Sequence, residues 1–139
     1  TSFIPWSGAY VSGVSLDEYY ETVEKMGRNV TKIDKDAMLE YVRTSGGQVI
    51  ANKGATFYAV SVAVCKLVAT ILSSSDSVAT VSSMMHGEYG IEDVCLSTLT
   101  LVGPKGVQGK IPMRMTKEEV EKLKASADAL KAVIAQIEH

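Results

Sequence analysis

The chain has 139 residues and a mass of 14.9 kDa, enough for one domain and too little for a two-domain enzyme. Its 14 Lys and Arg face 16 Asp and Glu, a net charge of −2, which argues against the cationic surface that nucleic acid requires. With 46% hydrophobic and 22% charged residues it is too apolar to be disordered and should bury a core.

The opening stretch, Phe3 to Leu16, mixes aromatic and β-branched residues with Gly8 and Gly13, the pattern of short strand pieces joined by turns. Ser15 with Glu18 three residues on is a capping box, so a helix starts there and runs to about Met26, where Gly27 stops it. Thr31 with Asp34 reads as a second start, with Ile33, Ala37, Met38 and Tyr41 on one face. Gly46-Gly47 would ordinarily end that helix, since each glycine costs about 1 kcal/mol relative to alanine in a helix interior. The apolar pattern resumes at Val49-Ile50, so a weakened helix continuing to about Asn52 is equally compatible with the residues.

After Lys53-Gly54 comes the most apolar segment. Phe57, Val60, Val64, Leu67, Val68 and Ile71 form a stripe while Ala55, Ala59, Ala63 and Ala69 keep the other faces small, the signature of a central helix packed on several sides. Interrupted by Lys66, it falls short of the ~20 residues needed to span a bilayer, so no membrane partner is expected. Beyond Ser73-Ser74-Ser75-Asp76, Val78 to Met85 and Val94 to Val102 read as strands. Gly103-Pro104-Lys105-Gly106 turns the chain, and Val107 to Met115 returns as an edge strand, because Pro112 has no amide for a ladder. Thr116 and Glu119 form a capping box, the third start signal, and open a helix with Val120, Leu123, Leu130, Val133 and Ile137 on one side. This order predicts an α+β fold with a largely antiparallel sheet and packed helices, without repeats or linkers.

Few residues offer chemistry. Gly103 to Lys110 imitates a phosphate loop, but the glycine spacing is one residue too long, Ile111 stands where Ser or Thr should be, and the loop leads into a strand; a hairpin turn is the better reading. His86-Gly87-Glu88 places an imidazole beside a carboxylate, yet it sits in a turn with neither a nucleophile nor a second metal ligand at useful spacing, so it reads as an exposed turn histidine. The other histidine, His139, is terminal. Cys65 and Cys95 lie in apolar runs and are expected to be reduced and buried. The N-terminus has no signal-peptide pattern, so the chain is expected to be cytoplasmic and the sequon at Asn29 idle. No metal site and no self-contained catalytic residue is expected.

Longer phrases carry more. Thr1-Ser2-Phe3-Ile4-Pro5-Trp6-Ser7-Gly8-Ala9, Val14-Ser15-Leu16, Lys53 to Val60, Val81-Ser82-Ser83 with Gly87 to Ile91, and Gly106-Val107 with the helix from Glu119 to Ala127 together resemble the C-terminal portion of bacterial L-lactate dehydrogenases, in that family's order and spacing over the whole chain. The segment Tyr89 to Val94 looks more like the lactate than the malate branch. The resemblance implies a glycolytic, NAD-dependent enzyme that interconverts pyruvate, or a related 2-oxo acid, with L-lactate. It also implies that the proton-donating histidine, in a His-Gly-acid phrase, lies immediately before Thr1, with the substrate-gripping arginine and the NAD-binding Rossmann half further upstream. Residues 1–139 alone would then be an inactive substrate-binding domain that pairs with an N-terminal half in a dimeric or tetrameric homo-oligomer.

Two positions carry over from the family. Thr56 matches the threonine lining the substrate pocket, and Val60 matches the apolar residue against the nicotinamide. Four residues apart on one helix face, they would form a shared wall. On residues alone, Thr56 could instead cap the helix and Val60 belong to the core. The rivals are a malate or other L-2-hydroxy acid dehydrogenase, and a non-enzymatic interaction module of the same fold, which would leave no large apolar patch uncovered.

Overall fold

A computed structural model describes residues 2–137. Trp6–Gly8 form a 3-10 turn, and a small antiparallel ribbon of β1 (Tyr10–Val11) and β2 (Val14–Ser15) follows. Then come helices α1 (Leu16–Lys25), α2 (Lys35–Lys53) and α3 (Tyr58–Leu72), strands β3 (Ser77–His86), β4 (Glu92–Gly103) and β5 (Gly106–Lys110), and the closing helix α4 (Lys117–Ile134). The three long strands form one antiparallel sheet in the order β3-β4-β5, so the α+β expectation holds.

The helix starts follow local hydrogen bonding. At α1 the serine half of the capping box is formed, Ser15 Oγ accepting from Glu18 N at 3.4 Å. At α2 the start is not the Thr31 pattern: Asp34 is itself the cap, its Oδ1 accepting from Asp36 N and Ala37 N at 3.1 and 3.0 Å. An aspartate whose carboxylate closes two free amides is a stronger start signal than a threonine three residues earlier. Ile33 therefore lies outside the helix, where its amide donates to Tyr20 Oη at 3.0 Å. The Gly46-Gly47 question is resolved in favour of continuity: α2 runs through both glycines and ends at Gly54, whose left-handed conformation (φ 78°) lets its amide reach Ile50 O. At α4 both halves of the capping box are present.

The returning strand is shorter than the sequence predicts. β5 stops at Lys110, and after one last bond from Ile111 N to Leu99 O the chain leaves the sheet at Pro112, which has no N–H to offer. The hairpin reading of Gly103–Gly106 is correct. At its base Gly103 leaves room for the Asp76–Gln108 hydrogen bond, where a Cβ would lie 1.9 Å from Asp76 Oδ1.

The core sits between the sheet and α4. Met85, Ile91, Val94, Leu96 and Ala127 are buried together, with Tyr89 and Leu123 packed against them. The central-helix reading of α3 is overturned: no residue of α3 is buried, although the helix touches β4, and Leu72 is 81% exposed. Cys65 and Cys95 are likewise exposed free thiols rather than buried ones. Total accessible surface is 10139 Å², against about 7,000 Å² for a compact monomer of this mass. Among the described residues no single helix is long and apolar enough to cross a membrane; α2 and α3 reach that length and composition only as a pair, bent by 116°.

Candidate functional site

The sequence-predicted pair Thr56 and Val60 lies at the bend between α2 and α3. Gly54 ends α2 and the chain passes through Ala55, Thr56 and Phe57 before α3 begins at Tyr58. Phe57 occupies the cap position without a side-chain bond, and its carbonyl accepts from both the amide and the hydroxyl of Ser61, at 2.9 and 2.7 Å. Phe57, not Thr56, holds the cap position, and no side chain caps the first turn of α3. Thr56 precedes the helix, so the argument that spacing alone sets both residues on one helical face is corrected: only Val60 is helical.

Neither residue is core. Thr56 is exposed and Val60 is 58% exposed. Val60 opens a groove of roughly 570 Å³ between α3 and β3, lined also by Val64, Leu67, Val78 and Val81, with Lys66 the one charged lining residue. Thr56 does not line that groove. The flank carries an aromatic pair, Phe57 and Tyr58, with ring centroids 4.6 Å apart and Lys53 Nζ 5.7 Å from the Tyr58 ring. Exposed apolar side chains continue along α3 through Val62, Val64 and Val68, and along α2 through Tyr41, Val42 and Ile50.

The turn histidine behaves as its sequence context suggests. His86 is exposed at the end of β3, and its backbone amide donates to Glu88 Oε2 at 2.7 Å. That hydrogen bond from His86 holds the Glu88 carboxyl below the ordinary glutamate value. Glu88 is therefore occupied in the turn at Gly87 (φ 108°) rather than paired with an imidazole for proton transfer. No group of three His, Cys, Asp or Glu side chains converges among the described residues.

Sequence reasoning missed a polar junction at the start of the chain. Glu119 is buried, and its carboxylate accepts from Ser7 N (3.0 Å), Ser7 Oγ (2.5 Å) and Thr116 N (2.8 Å). Ser7 Oγ also lies 2.9 Å from Arg114 O, and Tyr89 Oη accepts from Met113 N at 2.7 Å while reaching Met113 O at 3.1 Å. Burial alone would raise the Glu119 pKa, but the bonds from Ser7 and Thr116 outweigh it and hold the carboxyl below its ordinary value. The capping box was the only signal in the sequence, and it says nothing of a partner 112 positions away.

Comparison with known proteins places this architecture. The chain is 34% identical to the L-lactate dehydrogenase of Acetivibrio thermocellus over 99% of its own length and 43% of that protein's. It is 38% identical to the L-lactate dehydrogenase of Thermoanaerobacterium saccharolyticum over the same shares. Among solved structures, L-lactate dehydrogenase from Clostridium thermocellum superimposes with a TM-score of 0.79 at 33% identity, covering 97% of this chain and 42% of that one. Malate dehydrogenase from Archaeoglobus fulgidus, in complex with NADH, gives 0.72 at 28% identity, covering 79% of this chain and 37% of that one. The chain thus spans about two fifths of the length of the curated relatives it matches. The family model described as lactate/malate dehydrogenase, alpha/beta C-terminal domain, matches residues 1–139, and with its whole length accounted for the chain belongs to that family.

Proposed function

We propose that this chain is the substrate-binding part of a cytoplasmic, NAD-dependent L-lactate dehydrogenase that interconverts pyruvate and L-lactate, and that it works only with an N-terminal NAD-binding half, in a homo-oligomer. The observation that carries the proposal is the uncovered apolar wall of α3 beside a sheet groove, in a chain exposing some 3,000 Å² more surface than its mass calls for. An independent interaction module of this fold would cover such a wall, so the non-enzymatic reading is the weaker one.

In this reading the chain supplies shape and dryness. Val60 offers an exposed isopropyl group, which suits the flat nicotinamide ring, while the sequence of residues 1–139 contains no Gly-x-Gly-x-x-Gly turn to hold a pyrophosphate. Bound NADH would supply the hydride. Val60 and its α3 neighbours exclude water from the path of transfer, and Thr56, on the loop at the bend, presents a hydroxyl and a methyl to the side of the 2-oxo acid and selects it by fit. The proton donor and the carboxylate-gripping arginine belong to the N-terminal half.

The test joins the two parts. The 139-residue chain is mixed with, or fused behind, an NAD-binding half ending in His-Gly-acid, and NADH oxidation is followed with pyruvate and with oxaloacetate. Turnover on pyruvate from the combination, with none from either part alone, is the expected result. Preference for oxaloacetate would move the assignment to the malate branch, and turnover by this chain alone would refute the division of labour.

A further inference from the structure

Between the sheet, α4 and the strap Ile111 to Met115 lies a cavity of roughly 290 Å³, and no residue of α1, α2, α3 or the bend at Gly54 lines it. Its apolar walls are Phe3, Pro5, Leu99, Met113, Met115 and Leu123, and no charged side chain is among the lining residues. Thr80 and Ser97, both exposed, mark its open side. The strap is latched to the turn between β3 and β4: Tyr89, whose backbone is left-handed (φ 57°), accepts from Met113 N at 2.7 Å and donates to Met113 O at 3.1 Å through its hydroxyl.

One lining group is left without a partner. The Thr98 hydroxyl is sealed from solvent and makes no hydrogen bond among the described residues, although the Thr98 carbonyl is engaged by Thr100 Oγ1 at 3.0 Å. A buried hydroxyl in that condition costs free energy that a methyl group of the same shape would not. Water is a poor remedy, because a trapped water needs about two to four polar partners, and the Tyr89 hydroxyl already has both its roles filled by Met113. An organic molecule fits better. An apolar cavity of about 150 Å³ already takes benzene, so this one has room for a ring with a short chain, and its two methionines can adapt to the shape. We propose that the cavity is a binding site for a small uncharged organic molecule bearing one hydroxyl, which partners Thr98 while the carbon skeleton packs on Phe3, Leu99, Met113, Met115 and Leu123. Carboxylates and phosphates are excluded, since they would lose hydration without meeting a counter-charge. The site therefore takes neither the 2-oxo acid nor the nucleotide of the dehydrogenase reading, and does not rest on it.

The test uses the 139-residue chain and three probes: para-ethylphenol, ethylbenzene, which lacks the hydroxyl, and para-ethylbenzoate, which carries a charge. Binding is followed through the methyl resonances of the six methionines. With para-ethylphenol the Met113 and Met115 methyls are expected to shift saturably while that of Met26, 69% exposed, stays in place. Ethylbenzene binds at the same site about fivefold more weakly, the worth of one ordinary hydrogen bond, and para-ethylbenzoate does not bind. In Thr98→Val the advantage of para-ethylphenol over ethylbenzene falls below about twofold. Met115→Trp, which fills the cavity from the strap, abolishes binding of both; Leu99→Trp, which fills it from β4, does the same and covers the case in which the first variant fails to fold. The proposal is overturned if para-ethylphenol shows no saturable shift, if its preference survives Thr98→Val, if para-ethylbenzoate binds equally well, or if binding persists in the filled variants. None of these outcomes bears on NADH oxidation by the joined two-part protein, so the cavity and the dehydrogenase reading fail separately.

Discussion

Two regions of this chain each carry an apolar stripe and end in opposite environments. Around α4 and the sheet, Met85, Val94, Leu96 and Ala127 are sealed from water, Met85 completely. In α3 the valines at 60, 62, 64 and 68 stand in solvent. Apolar periodicity reports that a helix wants a cover; it does not say whether the same polypeptide provides it. The sealed region is what folds this chain, and the open one is what the proposed assembly would use.

The largest effect should come from the sealed side. Met85→Ala leaves a cavity in a fully buried site and is expected to destabilise by about 3 kcal/mol or more in denaturant unfolding; a loss under about 1 kcal/mol would mean that the sheet–α4 core is looser than described. Next is Glu119→Ala, which strands the Ser7 amide and should cost about 2 kcal/mol.

The same carboxylate predicts a pH dependence. Its folded pKa lies below the ordinary value of 4.5, so its contribution is fully present above that value and is lost as pH falls through the lower, folded-state value. Stability of the parent relative to Glu119→Gln should therefore shrink as the pH is lowered from 5 into that acid range. A constant difference across the range would show that the charge is not what Ser7 holds.

Smaller effects belong to the open side. Gly47→Ala should stabilise α2 by about 1 kcal/mol, because the glycine adopts helical backbone and an added Cβ meets nothing within 4 Å. Smallest of all, replacing Val60 and Val64 together by serine should change the chain's own stability by under about 0.5 kcal/mol, while abolishing much of its binding of a dye for exposed apolar surface and weakening recombination with an NAD-binding half. A marked loss of stability from that double variant would erase the contrast between the two regions.

Local signals were legible to the extent that their partners are local. The caps at Ser15 and Thr116, the stop at Gly27 and the hairpin at Gly103–Gly106 each depend on hydrogen bonds or backbone angles within a few residues, and each is found near its expected place. Asp34 outcompeted Thr31 because a carboxylate can serve two amides at once. The burial of α3, Cys65 and Cys95 was misread, because burial is a property of what lies opposite. The Ser7–Glu119 junction was invisible for a related reason: each residue has a satisfactory local role, and only the fold brings them together. Of the candidate site, Val60 emerges on the groove and Thr56 on the adjoining loop, while their roles toward substrate and nicotinamide rest on family likeness.

The bend at Gly54 has a consequence for whatever meets this surface. Because the axes of α2 and α3 diverge by 116°, one straight rod laid along either of them leaves the other bare. A complement able to shelter both must itself turn a corner, which a layered domain can do and a lone amphipathic peptide cannot.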